Sequence, residues 1–175
     1  VHPYDDPRVI AGQGTAAIEL IEDVPGLDIV VTPVGGGGLL GGTALAVAAV
    51  SPGTLVYGAE PEGADDAFRS LEAGRLIPSV SPDTVADGLL TSLSERTFGL
   101  IREHVEGIFT VSDDEIIEAM RLVWERMKLV IEPSAAVPLA AVLRGAMPVR
   151  GRRVGIILSG GNIRLEARLD GEGPI

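Results

Sequence analysis

Gly35, Gly36, Gly37 and Gly38 follow one another between an apolar run rich in Val and Ile and an Ala-rich stretch. Four consecutive glycines carry a conformational-entropy penalty that a folded chain keeps only for a use. Without Cβ atoms the backbone can come close to an anion and aim successive N–H groups at it. The positive end of a following helix adds to the attraction. The chemistry this predicts is a phosphate cradle. The run is not a Walker loop, since no Gly-Lys-Ser/Thr follows it, and a dinucleotide fingerprint fits it poorly. A permissive tight turn is the plainer alternative.

A second small-residue turn, Ser159-Gly160-Gly161-Asn162, follows another apolar run. Such turns are common between strands and helices. Paired with a phosphate loop on the same sheet edge, this one supplies a hydroxyl to meet the far side of a flat ligand. Asp65 and Asp66, taken alone, read as acids favouring the start of a helix. Glu132 before Pro133 reads the same way, as ordinary helix-start chemistry.

The elements that must position these residues alternate between strand and helix. Residues 12–23 have Ala16, Ala17, Leu20 and Ile21 at helical spacing, and Pro25-Gly26 ends that helix. Residues 27–34 form a continuous apolar run, the pattern of a central parallel strand. Residues 39–50 are helical, 55–59 a strand and 64–73 a short helix, while 74–92 with its prolines and serines is mostly loop. A helix over 94–105 and a strand over 107–111 follow. Ser112 is placed to cap a long helix whose first turn carries Asp113, Asp114 and Glu115, running to about residue 130. A helix opens at Glu132-Pro133-Ser134 and ends near Gly145, and residues 153–158 make the last strand. The expected fold is α/β, a doubly wound, mostly parallel sheet with helices on both faces. Ligands in such folds sit beyond the carboxyl ends of the strands, where both glycine-rich turns fall.

Composition narrows the function classes. With 46% hydrophobic and only 3% aromatic residues, the chain suits a Val/Ile-rich parallel sheet better than a β-sandwich. The net charge of −11 repels phosphate backbones, and no basic stripe outweighs it, so nucleic-acid binding is not expected. No apolar segment reaches the roughly 20 residues that span a membrane, and no signal peptide is visible. The absence of Cys removes disulfides and thiolate metal sites, and fits a cytoplasmic protein. The chain opens on Val1 and runs straight into loop-type sequence, which leads us to expect a fragment or processed product.

The ordered series Pro-Val-Gly-Gly-Gly-Gly-Leu (33–39), Ala-Glu-Pro (59–61), Ala-Asp-Gly (86–88), Trp-Glu-Arg-Met-Lys (124–128), Ile-Glu-Pro (131–133) and Ser-Gly-Gly-Asn (159–162) resembles the serine racemase and threonine/serine dehydratase family. These are fold-type II pyridoxal-phosphate enzymes. The resemblance runs from His2 to Asn162 and is far more specific as a series than in any one motif.

The resemblance implies that Gly35 to Gly38 bind the cofactor phosphate, that Ser159 hydrogen-bonds the pyridine nitrogen, and that Gly88 lines the ring. Thr91 stands where serine racemase has a Ser contacting the substrate carboxylate. Glu60, Ala64 and Asp66 match the family's divalent-cation site, two carboxylates and one backbone carbonyl, a set suited to Mg²⁺ or Ca²⁺. Glu132 lies near the cofactor in the family. Lys128 and Asn162 correspond to positions near a nucleotide effector site of the animal racemases, although a lysine on a long helix is ordinarily a solvated charge. His2 borders the active cleft in the family, and a structural or solvent-facing role is expected of it here.

The same resemblance says what lies outside residues 1–175. The Schiff-base lysine, the loop that binds the substrate carboxylate and the opposing catalytic Ser all belong upstream, as does the small domain. Lys128, the sole lysine, matches a different family position. We therefore expect a single partial domain, the C-terminal portion of the cofactor-binding large domain, inactive in isolation and homodimeric at full length. Because the chain ends soon after Asn162, we expect no C-terminal regulatory domain. The expected activity is removal of water and then ammonia from L-threonine or L-serine. Serine racemase is the nearest alternative, and the stretch Ala-Asp-Gly-Leu-Leu-Thr-Ser (86–92) resembles members that include 3-hydroxyaspartate dehydratases. Outside enzymology, the alternative is an inactive phosphate-binding fragment.

Overall fold

The structure, a computed structural model, describes residues 1–164. Helix α1, Pro7–Asp23, begins five residues before the expected Gly12, because Asp6 caps it by accepting the N–H of Arg8 (2.9 Å) and Pro7 sits at its first position. Strand β1, Ile29–Pro33, is buried along its whole length. Helix α2 (Gly38–Val50) leads to β2 (Leu55–Pro61), which is two residues longer than its apolar run suggested. A 3-10 turn over Glu62–Ala64 then precedes α3, Asp66–Ala73, so this helix starts two residues later than expected.

Helix α4 (Glu95–His104) is capped by Ser94 and leads to β3, Gly107–Val111. Ser112 caps α5, Asp113–Met127, as its sequence predicts, in a reciprocal box with Glu115. That helix stops short of residue 130 because Lys128 takes a left-handed conformation, φ 58°. Helix α6 is Pro133–Leu143. Strand β4, Val154–Ile156, is shorter than the apolar run around it, although Ile157 still donates to the Val31 carbonyl (3.0 Å).

Among the described residues the four strands are all parallel, in the order β3-β2-β1-β4. Helices cover both faces, as expected of a doubly wound sheet. Val30, Val56 and Ile108 pack against α1, α2, α3 and α4 on one side. Ile29, Val31, Tyr57 and Val111 pack against α5 and α6 on the other. The alternation along β1 explains why its sequence is apolar without a break: neither face meets water.

The strand order does one further thing. The chain steps outward from β1 to β3 and then returns to lay β4 on the other side of β1. Residues leaving β1 and residues leaving β4 therefore diverge from adjacent strands at one sheet edge, the place where open α/β sheets bind ligands.

Candidate functional site

A cleft of about 350 Å³ opens at that edge. Gly35, Gly36, Gly37 and Gly38 line it, and so do Gly88, Thr91 and Ser159. Residues from three separate stretches of sequence are thus brought to one cavity. Tyr4, Gln13, Glu132 and Ser134 also line it. Of these, only Glu132 was legible in the sequence beforehand.

The glycine loop is bare because its surroundings leave no room. A Cβ on Gly35 would stand 2.9 Å from Oγ1 of Thr91, and one on Gly36 would enter the ring of Tyr4. Gly37 adopts φ 82° and is the N-cap of α2, with no side chain capping that helix. The first-turn N–H groups of α2 therefore lack a side-chain acceptor at the wall of the cleft. An anion placed there meets amide donors and the positive helix end. Glu132 is the single charged side chain among the described lining residues, so the cradle they form is built from backbone rather than from salt bridges.

Across the cleft, Ser159 emerges from the β4 side. Its turn is tied to Glu132 twice: the Glu132 N–H donates to the Gly160 carbonyl (3.1 Å), and the Asn162 N–H donates to Glu132 Oε2 (2.8 Å). Gly88 is held by its own N–H, which donates to Ser134 Oγ (3.1 Å). Glu132 is the N-cap residue of α6, yet its side chain makes no capping bond. Glu132 thus stands at a helix start as its sequence reads, but its side chain turns to the Asn162 amide instead of capping α6.

Glu60, Ala64 and Asp66 do not line this cleft. Glu60 is fully buried at the end of β2 and its two oxygens accept the N–H groups of Ala67 (3.0 Å) and Phe68 (2.9 Å) at the start of α3. Burial pushes its carboxyl up to about 9, against the lowering effect of those two amides. Asp66 is equally buried and is raised to about 6, again chiefly by burial. Its Oδ2 accepts the Leu93 N–H (3.3 Å), while Oδ1 has no partner. Asp65, by contrast, pairs with Arg69 (2.7 Å) in the ordinary manner of a helix-start acid. The two neighbouring aspartates thus divide the two readings of their sequence. Two buried carboxylates with a spare oxygen, next to the buried Ala64, are the donor chemistry of a hard cation. Among the described residues no group of three or more His, Cys, Asp or Glu side chains is assembled for a metal.

His2 does what a loop residue does. Its Nδ1 accepts the N–H groups of Asp5 (2.9 Å) and Tyr4 (3.4 Å), and its ring meets Tyr4 edge-on. Lys128 sits exposed at the end of α5. Among the described residues no helix is long and apolar enough to cross a membrane.

Known proteins resemble this chain in sequence and fold. The family model described as pyridoxal-phosphate dependent enzyme matches residues 1–160. A beta-hydroxyaspartate dehydratase of Paracoccus denitrificans is 54% identical over 166 residues, covering 95% of this chain and 53% of that protein. Human serine racemase is 48% identical over 173 residues, covering 97% of this chain and 51% of its own. The solved serine racemase of Dictyostelium discoideum superposes with a TM-score of 0.89 at 50% identity, over 94% of this chain and 54% of that one. The solved T.th. threonine deaminase superposes at 0.88 with 53% identity, covering 94% of this chain and 62% of the other. The chain spans about half the length of the curated relatives it matches.

Proposed function

Because this chain belongs to the pyridoxal-phosphate dependent enzyme family, we propose that it is the C-terminal portion of the large domain of an L-threonine/L-serine ammonia-lyase, which yields a 2-oxo acid and ammonia. The observation that carries this reading is the convergence of Gly35–Gly38, Gly88, Thr91 and Ser159 on one cleft. Pyridoxal phosphate, when bound, supplies the electron sink for carbanion chemistry at the amino-acid Cα. The residues present fit it. Backbone amides of the glycine loop and the uncapped end of α2 would hold its phosphate. The bare Gly88 would let the flat ring approach, and the Thr91 hydroxyl would take the substrate carboxylate.

Ser159 would hydrogen-bond the pyridine nitrogen. A neutral hydroxyl does not keep that nitrogen protonated as a carboxylate would, so the sink is weaker. That setting suits a substrate whose β-hydroxyl departs promptly after its Cα proton is removed. The lysine that would carry the cofactor, the small domain and the second half of the substrate site come from the rest of the enzyme, and the isolated segment is inactive. Glu60, Asp66 and the Ala64 carbonyl would hold Mg²⁺ or Ca²⁺ beside the site, with water completing the shell. The whole enzyme is a homodimer on this reading.

Similarity to a beta-hydroxyaspartate dehydratase and to serine racemases keeps two related activities in view. One observation favours the monocarboxylic substrate: among the described residues no Arg, Lys or His lines the cleft, and the one charged lining residue is the anion Glu132. A second substrate carboxylate would find no cationic partner among these described lining residues.

The test is borohydride reduction of the full-length protein with pyridoxal phosphate, followed by peptide mapping and an assay of 2-oxo acid release. A pyridoxyl label on a lysine outside this sequence, with turnover of L-threonine or L-serine, is expected. A label on Lys128, or none, would overturn the assignment. Faster turnover of 3-hydroxyaspartate, or net formation of D-serine, would replace the lyase reading with its relatives.

A further inference from the structure

Two glycines in the Ser159 turn are explained by the protein, not by a ligand. A Cβ on Gly160 would stand 2.8 Å from Oε1 of Glu132, 2.9 Å from its Cδ and 3.1 Å from its Oε2. The carboxyl group therefore lies against the Gly160 backbone. A Cβ on Gly161 would stand 2.6 Å from the carbonyl oxygen of Val130. The turn is pressed onto residues 130–132 along its length.

Two hydrogen bonds from Glu132 bracket it. The backbone N–H of Glu132 holds the Gly160 carbonyl and Oε2 receives the Asn162 N–H. The strap that does this is itself anchored. Trp124 Nε1 donates to the Ile131 carbonyl (2.9 Å), Ile131 is buried, and Pro133 begins α6. Two residues on from Glu132, Ser134 Oγ secures Gly88. One short strap thus holds two of the cleft's lining turns.

We propose that Glu132 is a positioning residue that sets where the Ser159 hydroxyl stands, acting through the backbone of Gly160 and Asn162. This rests on the cofactor reading above. The clamp needs an acceptor oxygen at Oε2, not a negative charge. Glutamine can supply that oxygen; alanine cannot. Gly160 is required only while the longer side chain lies on it.

The experiment uses the full-length enzyme and four variants: Glu132→Gln, Glu132→Ala, Gly160→Ala and the double Glu132→Ala/Gly160→Ala. Three quantities are read: the dissociation constant for pyridoxal phosphate, the absorbance maximum of the bound cofactor, and hydrogen exchange at the Asn162 amide. Glu132→Gln is expected to match the wild type in all three. Glu132→Ala is expected to lose Asn162 protection, to shift the absorbance and to bind cofactor about tenfold more weakly, the scale of one hydrogen bond to a charged group. Gly160→Ala should behave like Glu132→Ala, and the double variant should be no worse than either.

A Gln variant as impaired as the Ala variant would mean that charge acts directly, and overturns the clamp. So would an Ala variant indistinguishable from wild type, or losses that add in the double variant. If the wild type binds no pyridoxal phosphate, the functional reading falls together with the positioning role. If it binds the cofactor and Glu132→Ala binds it equally well, only the clamp falls.

Discussion

Asp66 accepts the backbone N–H of Leu93 through one carboxylate oxygen and leaves the other, fully buried, without a partner. Leu93 in turn packs on the glycine loop, where a Cβ at Gly37 would stand 2.7 Å from its Cδ2. The acidic pair behind α3 is thus joined to the wall of the cleft by a single residue. An unpaired buried carboxylate oxygen is costly unless a cation meets it.

The first prediction is that Mg²⁺ or Ca²⁺ stabilises the full-length protein. A cation at about a hundred times its dissociation constant adds roughly 2.7 kcal/mol by mass action. Thermal melts with and without chelator measure this, and Asp66→Asn should abolish the increment. An unchanged Tm in the wild type would remove the cation from this pair.

Ser159→Ala should leave the melt within about 0.5 kcal/mol of wild type, because this side chain is exposed and holds no core contact. Cofactor affinity should fall about tenfold, the worth of one well-placed hydrogen bond, and the bound cofactor's absorbance should move. Unchanged affinity and spectrum would take Ser159 away from the pyridine nitrogen.

Gly36→Ala drives a methyl into the Tyr4 ring. Overpacking of this kind costs about 1–3 kcal/mol, readable in a denaturant melt. Adding Tyr4→Ala opens the space and should return part of that loss. If the pair is simply additive, the ring does not press on the loop.

The edge of the sheet offers a pH test. Asp28 Oδ2 accepts the Arg153 N–H (2.7 Å) just before β4, and this bond, aided by Arg152, holds the Asp28 carboxyl below the usual carboxylate range. A depressed carboxyl stabilises the fold above its unfolded pKa and loses that contribution as the pH falls through its folded value. Asp28→Asn should therefore melt below wild type at about pH 7, with the gap narrowing as the pH falls below the usual carboxylate range. A gap that stays constant with pH would exclude this bond as the cause.

What the sequence by itself determined is local. Apolar runs named β1 to β4, Ser112 announced the start of α5, and Gly35–Gly38 marked a bare loop, because propensity, capping and chain flexibility act within a few residues. Element ends were less legible: Asp6 and Pro7 outweighed the later apolar spacing in α1, and the left-handed Lys128 ended α5 early. The tertiary structure alone decided the site. Ser159 meets the glycine loop because β4 returns beside β1, and Gly88 and Thr91 reach it from the stretch between α3 and α4, long-range placements that no local pattern encodes. It also decided between neighbours of identical type: Asp65 faces Arg69 at the surface while Asp66 is sealed inside. Glu132, which its place before a proline marks as a helix-start acid, was turned instead to the Asn162 amide. A carboxylate's partner depends on what the fold brings within reach, and only packing supplies that.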